Sequence, residues 1–105
     1  MLGELEQLVL LAVLREGGET YGVPVHETIE HHSGRSVAVA SVYKTLDRLC
    51  EKGLVSERIG EPTAERGGRR KRYFAVTNAG RQALRASLST IAKLSRGLDV
   101  GLAST

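Results

Sequence analysis

One stretch, residues 67–77, constrains the fold of this chain more than any other. Its sequence is Gly-Gly-Arg-Arg-Lys-Arg-Tyr-Phe-Ala-Val-Thr, so four consecutive cations lie between a glycine pair and a short apolar run. Tyr-Phe-Ala-Val is typical of a half-buried strand, and a solvated charge run would not normally lead into it. We therefore predict a β-hairpin with strands at residues 54–59 and about 70–76, and a mobile tip around residues 61–68. Such a hairpin holds its cations away from the protein body, as a wing that straddles a phosphate backbone does.

The positive charge is concentrated in the middle of the chain. The net charge of the 105 residues is only +3. Residues 1–57, however, carry five Lys or Arg and nine Asp or Glu, whereas residues 58–72 carry six and two. A polyanion would therefore meet the middle of the chain. Phosphate binding depends on such local clusters, so the small overall charge does not argue against it.

Composition excludes several classes of protein. The length fits one domain with a modest core, and no apolar run approaches the roughly 20 residues needed to cross a membrane. Cys50 is the only cysteine, so no intrachain disulfide can form, which favours the cytoplasm. His31 and His32 are adjacent and would point about 100° apart on a helix, which is unsuitable for shared metal ligation. With no catalytic Ser/His/Asp pattern, phosphate loop or cysteine cluster, we expect no enzyme, no metal and no cofactor.

Two helices are predicted in the first third of the chain. Apolar residues at 5–14 fit a helix that ends at Gly17-Gly18. A second helix begins at Thr20, whose hydroxyl can cap free backbone N–H groups, and tolerates Pro24 in its first turn. It ends at residues 33–34.

Two further helices flank the hairpin. The third spans roughly residues 39–52 and ends at Gly53, which readily takes the left-handed conformation. The fourth is capped by Thr77 or Asn78 and runs to about residue 96. Three helices followed by a hairpin predict a winged helix-turn-helix, an α+β fold that is mostly α. We expect residues 1–76 to form the DNA-binding domain and residues 77–105 a C-terminal dimerisation helix and tail.

The third helix has two different faces. Its apolar face is predicted to pack inward and consists of Val39, Val42, Leu46, Leu49 and Cys50. Its outer face consists of Ser41, Lys44, Thr45, Arg48 and Lys52, and it is small or cationic except for Asp47 and Glu51 at its flanks. A helix with such an outer face can enter a major groove, where hydroxyls and cations reach base edges or phosphates. The alternative is an ordinary solvated helix face, which the cationic hairpin just downstream argues against.

The fourth helix carries an apolar stripe that extends past a small domain. The stripe follows a heptad pattern, interrupted at Ser95, and consists of Leu84, Leu88, Ile91, Leu98 and Leu102. We expect it to pack on the same helix of a second subunit, together with the first helix. The alternative is packing against the core of its own chain.

Several fragments, in order and spacing, make the chain resemble PadR-type transcriptional regulators. They span about residues 3–95 and are Tyr21-Gly22, Ser41-Val42-Tyr43 with Leu46 and Leu49, Lys52-Gly53-Leu54-Val55, Gly67-Gly68-Arg69-Arg70-Lys71-Arg72-Tyr73-Phe74 and Thr77-Asn78-Ala79-Gly80-Arg81. The short C-terminal region is similar to the compact branch of that family, which has a single dimerising helix.

The resemblance implies a homodimeric winged-helix repressor that binds inverted-repeat operators in double-stranded DNA and releases them when a small-molecule effector binds. By position, it assigns Ser41, Tyr43, Lys44 and Arg48 to the recognition helix. It assigns Arg69, Arg70, Lys71 and Arg72 to the wing, and Tyr21 to a position near the DNA backbone. For Tyr43 a second interpretation is open, in which the ring packs between helices and only its hydroxyl approaches phosphate.

The sequence departs from the family pattern at the start of the recognition helix and in its aromatic content. Ala38 stands where such sequences often have a Ser or Thr cap, and Ala40 replaces a common Gly. Some compact relatives stack flat aromatic drugs on tryptophan, but this chain has no Trp, so we expect no such pocket.

The sequence also bears on two other binding functions. A winged-helix protein-interaction module that does not bind DNA is the main alternative, and the four hairpin cations argue against it. An RNA-binding module would display several stacking aromatics on its sheet, and Tyr73 and Phe74 are too few.

Overall fold

The computed structural model describes residues 2–61 and 70–100 and has the predicted architecture. Helices α1 (Glu4–Arg15), α2 (Gly22–Ser33) and α3 (Val39–Glu51) are followed by strands β1 (Val55–Ile59) and β2 (Arg72–Val76) and by helix α4 (Asn78–Ser95). The winged-helix prediction is therefore confirmed. Most of the predicted hairpin tip, together with Arg69 and Leu102, lies outside the described residues.

The two strands pair antiparallel in a register that faces one aromatic ring into the core. Val55 pairs with Val76, Glu57 with Phe74 and Ile59 with Arg72. Because side chains alternate along a strand, Phe74 points inward while its neighbours remain partly exposed. Phe74 is fully buried, so the wing is anchored to the domain through its second strand.

Thr20 does not cap α2, and the prediction that it does was wrong. Its backbone N–H donates to the Phe74 carbonyl at 2.9 Å and its carbonyl accepts from the Phe74 N–H at 2.6 Å. Thr20 thus adds a one-residue third strand to the hairpin. Its pairing with Phe74 holds Thr20 in an extended conformation. The N-cap of α2 is Tyr21, and no side-chain hydrogen bond caps this helix.

The remaining helix ends follow local chemistry. Gly34 (φ 70°) and Gly53 (φ 75°) take the left-handed conformation just after α2 and α3, which was predicted for Gly53. The Thr77 hydroxyl accepts from the Gly80 N–H at 3.0 Å and donates to the Gly53 carbonyl at 2.8 Å. Thr77 therefore caps α4 and joins its start to the end of α3.

The core lies where α1, α2, α3 and the hairpin meet. Its fully buried side chains are Val9, Leu10, Val13, Val25, Val42, Leu46, Leu49 and Phe74. α3 supplies three of them, so the inward prediction for Val42, Leu46 and Leu49 is confirmed. Cys50 is only half-buried at the edge of this cluster, and burial raises the pKa of its thiol.

The first turns of α4 pack on the domain, whereas its second half does not. A Cβ at Gly80 would lie 2.1 Å from the Leu54 carbonyl oxygen, so only glycine allows the helix to approach this closely. Leu84 is 4% exposed in the core, which corrects its assignment to a dimer stripe. Leu88 and Ile91 are exposed, as is Leu94, which the heptad pattern did not include. Leu98 is exposed but lies beyond the last residue of α4, Ser95.

No helix in the described part of the chain is both long and apolar enough to span a bilayer.

A buried carboxylate joins α1 to the end of α3. Glu6 is 6% exposed, its Oε2 accepts from Lys52 Nζ at 2.6 Å, and its Oε1 accepts from the Gly3 N–H at 2.9 Å. The hydrogen bond from the Lys52 ammonium is the largest influence on this group and lowers the pKa of Glu6 below its usual 4.5. Lys52 therefore holds the base of α3, rather than lying free on its outer face.

We expect Glu6→Gln to lower the free energy of unfolding at pH 7 by about 1–2 kcal/mol, since it removes a hydrogen-bonded charge pair. A carboxyl with a depressed folded-state pKa stabilises the protein above its unfolded-state pKa, and the stabilisation is lost as pH falls through the folded value. The difference between wild type and variant should therefore shrink below about pH 4.5. Urea unfolding at pH 7 and at several pH values between 3 and 5 would measure this difference in the free energy of unfolding. Glu4→Gln, in the exposed pair with Arg35, is the matched control and should change little.

Candidate nucleic-acid interface

The outer face of α3 presents two exposed cations. Lys44 and Arg48 are one helical turn apart, and both are exposed. Neither side chain forms a hydrogen bond or ion pair with any residue in 2–61 or 70–100. Ser41, one turn before Lys44, is half-buried. The structure thus leaves two cations of the predicted recognition helix available to a polyanion.

Two residues of α3 lie opposite to their predicted face. Thr45 is 3% exposed and its hydroxyl donates to the Ser41 carbonyl at 2.8 Å, so it cannot reach DNA as predicted. Thr45 is three residues after Val42 and four before Leu49, which places it on the apolar stripe; that spacing was the signal available in the sequence. Val39 was predicted to be buried but is 44% exposed at the first position of the helix.

Tyr43 packs between α2 and α3, which favours the second of its two interpretations. A Cβ at Gly22 would lie 2.2 Å from Tyr43 Cζ and 2.4 Å from its hydroxyl oxygen. The ring therefore lies directly on the Gly22 backbone, and its hydroxyl is beside the first turn of α2. Glycine at 22 is what lets the two helices approach this closely.

The base of the wing is held by stacked cations and rings. Lys71 Nζ lies 4.2 Å from the centre of the Tyr21 ring, and Tyr21 meets Tyr73 edge to face at 6.0 Å. Arg58 lies 4.7 Å from the Tyr73 ring and makes two hydrogen bonds to Glu19, at 2.6 and 2.8 Å. Each cation–π contact contributes about 0.5–1 kcal/mol at exposed sites. Together they tie the wing to the residues just before α2.

Arg72, which was predicted to contact phosphate, is engaged in ion pairs within the protein. Its Nε donates to Glu57 Oε2 at 2.6 Å, and its Nη2 donates to Asp47 Oδ1 at 2.5 Å and Glu57 Oε1 at 3.0 Å. The hydrogen bond from Arg72 lowers the pKa of Glu57, and the two carboxylates raise that of Arg72. Arg72 therefore joins the wing to α3 and offsets part of the negative charge of two carboxylates that would otherwise repel phosphates.

A shallow cleft of about 290 Å³ lies between the wing, α2 and α3. Its lining consists of Tyr21, Val23, Tyr43, Arg70, Lys71 and Arg72. Arg70 is exposed and has no hydrogen bond or ion pair with any other described residue. The cleft thus brings together five of the predicted DNA-contacting residues, Tyr21, Tyr43, Arg70, Lys71 and Arg72. Arg69, the remaining cation of the predicted wing, falls outside the described residues.

The start of α3 lacks a side-chain cap, as its sequence predicted. Ala38 occupies the N-cap position, with no side-chain hydrogen bond to the first turn. Within residues 2–61 and 70–100, no group of three or more His, Cys, Asp or Glu side chains could hold a metal ion.

Comparisons with known proteins agree on one family for this chain. The Transcriptional regulator PadR-like family matches residues 10–86. An uncharacterized 37.1 kDa protein in transposon TN4556 of Streptomyces fradiae is 35% identical over 89 residues, which cover 85% of this chain and 24% of that protein. The chain thus spans about a quarter of the length of this curated relative.

Solved structures share the fold. A PadR family transcriptional regulator from Eggerthella lenta DSM 2243 superposes with a TM-score of 0.70 and 23% identity, covering 90% of this chain and 82% of that one. Bacillus subtilis PadR in complex with operator DNA superposes with a TM-score of 0.68 and 18% identity, covering 97% and 52%.

Proposed function

The chain belongs to the PadR-like family of transcriptional regulators, and from that membership we propose that it is a homodimeric repressor that binds inverted-repeat operator DNA. Members of this family are transcriptional regulators rather than enzymes. The observation that carries DNA binding is the charge arrangement beside α3. Lys44 and Arg48 are exposed and unpaired among the described residues, while Arg72 pairs with the neighbouring Asp47 and Glu57 and offsets part of their negative charge.

In this proposal each subunit places α3 in a major groove and its wing along the flanking backbone. Ser41, Lys44 and Arg48 face base edges and phosphates. Arg69, Arg70 and Lys71 contact phosphates from the wing. Tyr21 and the Tyr43 hydroxyl line the cleft between the wing and α2, where a backbone phosphate can enter. Bacillus subtilis PadR, which has the same fold, was solved in complex with operator DNA, and this supports DNA binding by the fold.

The second half of α4 is the proposed dimer contact. Leu88, Ile91 and Leu94 are exposed there, and Leu11 of α1 is exposed as well. A groove of about 490 Å³ runs beside them. Its lining consists of Leu14, Arg81, Leu84, Arg85, Leu88, Ser89 and Ala92. A partner's α4 would bury this apolar surface and set the distance between the two recognition helices. Bound at a promoter, the dimer excludes RNA polymerase.

Release would require an effector with unequal affinity for two arrangements of the subunits. A change in the angle between the α4 helices alters the recognition-helix spacing, and therefore the fit to two half-sites. The described residues contain no Trp, so stacking on tryptophan does not supply the affinity of such an effector.

Salt dependence measures the proposed phosphate contacts and the part played by the wing. Three or four contacts per subunit give six to eight per dimer, so log K should fall with log salt at a slope of about −5 to −7. The double variant Arg69→Ala/Arg70→Ala removes four of these contacts from a dimer. It should therefore weaken binding to all duplex sequences alike and flatten the slope by about 3–4. Fluorescence anisotropy with labelled mixed-sequence duplex, from low to moderate salt, would give both quantities.

The matched control is Lys93→Ala/Arg96→Ala, which removes the same charge from the far end of α4 and should leave the slope nearly unchanged. A slope that the wing variant does not alter would remove the wing from the interface. Wild-type protein that binds no duplex even at low salt would favour the protein-interaction module instead.

A further inference from the structure

The first turn of α3 is apolar although it lies at the surface. Ala38, Val39 and Ala40 are all exposed, and Val39 is 44% exposed. The next apolar residue of the helix, Val42, is fully buried. A single exposed valine is common on protein surfaces. Here, however, three successive positions at the tip of the proposed recognition helix carry only small aliphatic side chains.

The position of this apolar tip determines what it could contact. In helix-turn-helix proteins the N-terminal residues of the recognition helix meet base edges in the major groove. The bases present hydrogen-bonding groups there, with one apolar exception, the C5 methyl group of thymine. Ala38 offers no side-chain hydrogen bond, and Ser41, the first polar side chain of the helix, is half-buried. The tip can therefore select a base through contact with a methyl group, but not through a side-chain hydrogen bond.

We propose that Val39 and Ala40 determine operator specificity by contacting thymine methyl groups in each half-site. This inference rests on the proposed DNA binding and deepens it. Ala40 and Lys44 are four residues apart and so lie on the same side of α3, separated by about 6 Å along its axis. The thymine therefore lies within about two base pairs of the position that Lys44 contacts.

Substitution in the DNA tests the contact without altering the protein. The probe is a labelled duplex selected by this protein from random sequence, in which each thymidine of a half-site is replaced in turn by deoxyuridine. This replacement removes only the C5 methyl group and keeps base pairing. At one or two positions we expect the affinity to fall about fourfold, the ratio that corresponds to burying one methyl-sized group. The same change in both half-sites should lower it about 15-fold.

Substitution in the protein identifies the residue that contacts the thymine methyl group. Val39→Ser and Ala40→Gly remove methyl groups from the tip at exposed positions, and circular dichroism would verify that each variant is folded. At the sensitive position, at least one of them should bind the thymidine and deoxyuridine duplexes almost equally. Lys44→Ala is the control, because it should weaken binding to both duplexes while leaving the fourfold ratio intact.

The outcomes separate this inference from the proposed function. Wild-type binding that no deoxyuridine substitution alters would overturn the methyl contact and leave DNA binding in place. If the fourfold ratio between the thymidine and deoxyuridine duplexes persists in both tip variants, another residue contacts the thymine methyl group. That result would also overturn the inference. Failure of the wild-type protein to bind any duplex at low salt would refute the proposed function, and this inference with it.

Discussion

Replacing Lys44 and Arg48 together by alanine should reduce operator affinity by roughly a thousandfold. Each substitution occurs twice in a dimer, so four cationic contacts are lost. At about 1 kcal/mol for each, the low end for a base contact, the loss is about 4 kcal/mol. Both side chains are exposed, and neither has a hydrogen bond or ion pair in residues 2–61 and 70–100. Folding should therefore be unaffected, with a stability change within about 0.5 kcal/mol.

The measurement is a titration of selected operator and mixed-sequence duplex at one salt concentration. The double variant should lose more affinity for the operator than for mixed sequence, because α3 is proposed to reach base edges. A variant with the charges kept, Lys44→Arg/Arg48→Lys, should retain binding to mixed sequence and lose part of the specificity, since only Arg pairs with guanine through a planar fork. Glu51→Gln, at the exposed end of α3, removes a negative charge instead of a positive one, and should therefore raise affinity for DNA. Unaltered operator binding by the double alanine variant would exclude α3 as the recognition helix.

The second large effect is expected at α4. Ile91→Glu/Leu94→Glu puts two carboxylates per chain on the exposed apolar half of the helix, and should convert the proposed dimer to a monomer. A monomer binds only one half-site. It lacks the tethered second domain, which raises operator affinity about a hundredfold or more. Operator binding should fall accordingly, while binding to a duplex with a single half-site should hardly change.

Sedimentation equilibrium would measure the oligomeric state, and anisotropy with whole and half operators would measure the affinities. Neither substituted residue belongs to the buried core, so thermal unfolding should still be cooperative. Ile59→Glu is the control for oligomeric state, because it places one such carboxylate on an exposed apolar residue of β1 instead of on α4. Wild-type protein that sediments as a monomer, or a variant that remains dimeric, would contradict the proposed α4 contact.

The secondary structure could be predicted because its determinants are local. Gly34 and Gly53 end helices through their own backbone conformation, and Thr77 caps α4 by a hydrogen bond three residues along the chain. The pattern of Val42, Leu46 and Leu49 was sufficient to find the buried face of α3. Each of these signals acts over one turn of helix or one strand alternation.

The site was predicted only in part, because charge alone does not reveal a partner. Arg72 resembles its neighbours in the cationic run, but Asp47, 25 residues earlier, and Glu57 engage it. Val39 fits the apolar stripe of α3, but at the first position of the helix it is only partly covered and remains 44% exposed. Leu84 fits the heptad stripe, but the close approach at Gly80 draws the first turns of α4 onto the core.

The amino-acid order by itself determined the helices, the hairpin and the exposed cations of α3, since backbone preference and short-range periodicity specify them. Only the tertiary structure decided that Thr20 pairs with Phe74 instead of capping α2, and that Arg72 forms ion pairs with two carboxylates instead of remaining unpaired. The physical reason is that a polar group joins whichever partner folding brings within hydrogen-bond distance. Contacts between residues distant along the chain depend on packing that no local pattern encodes.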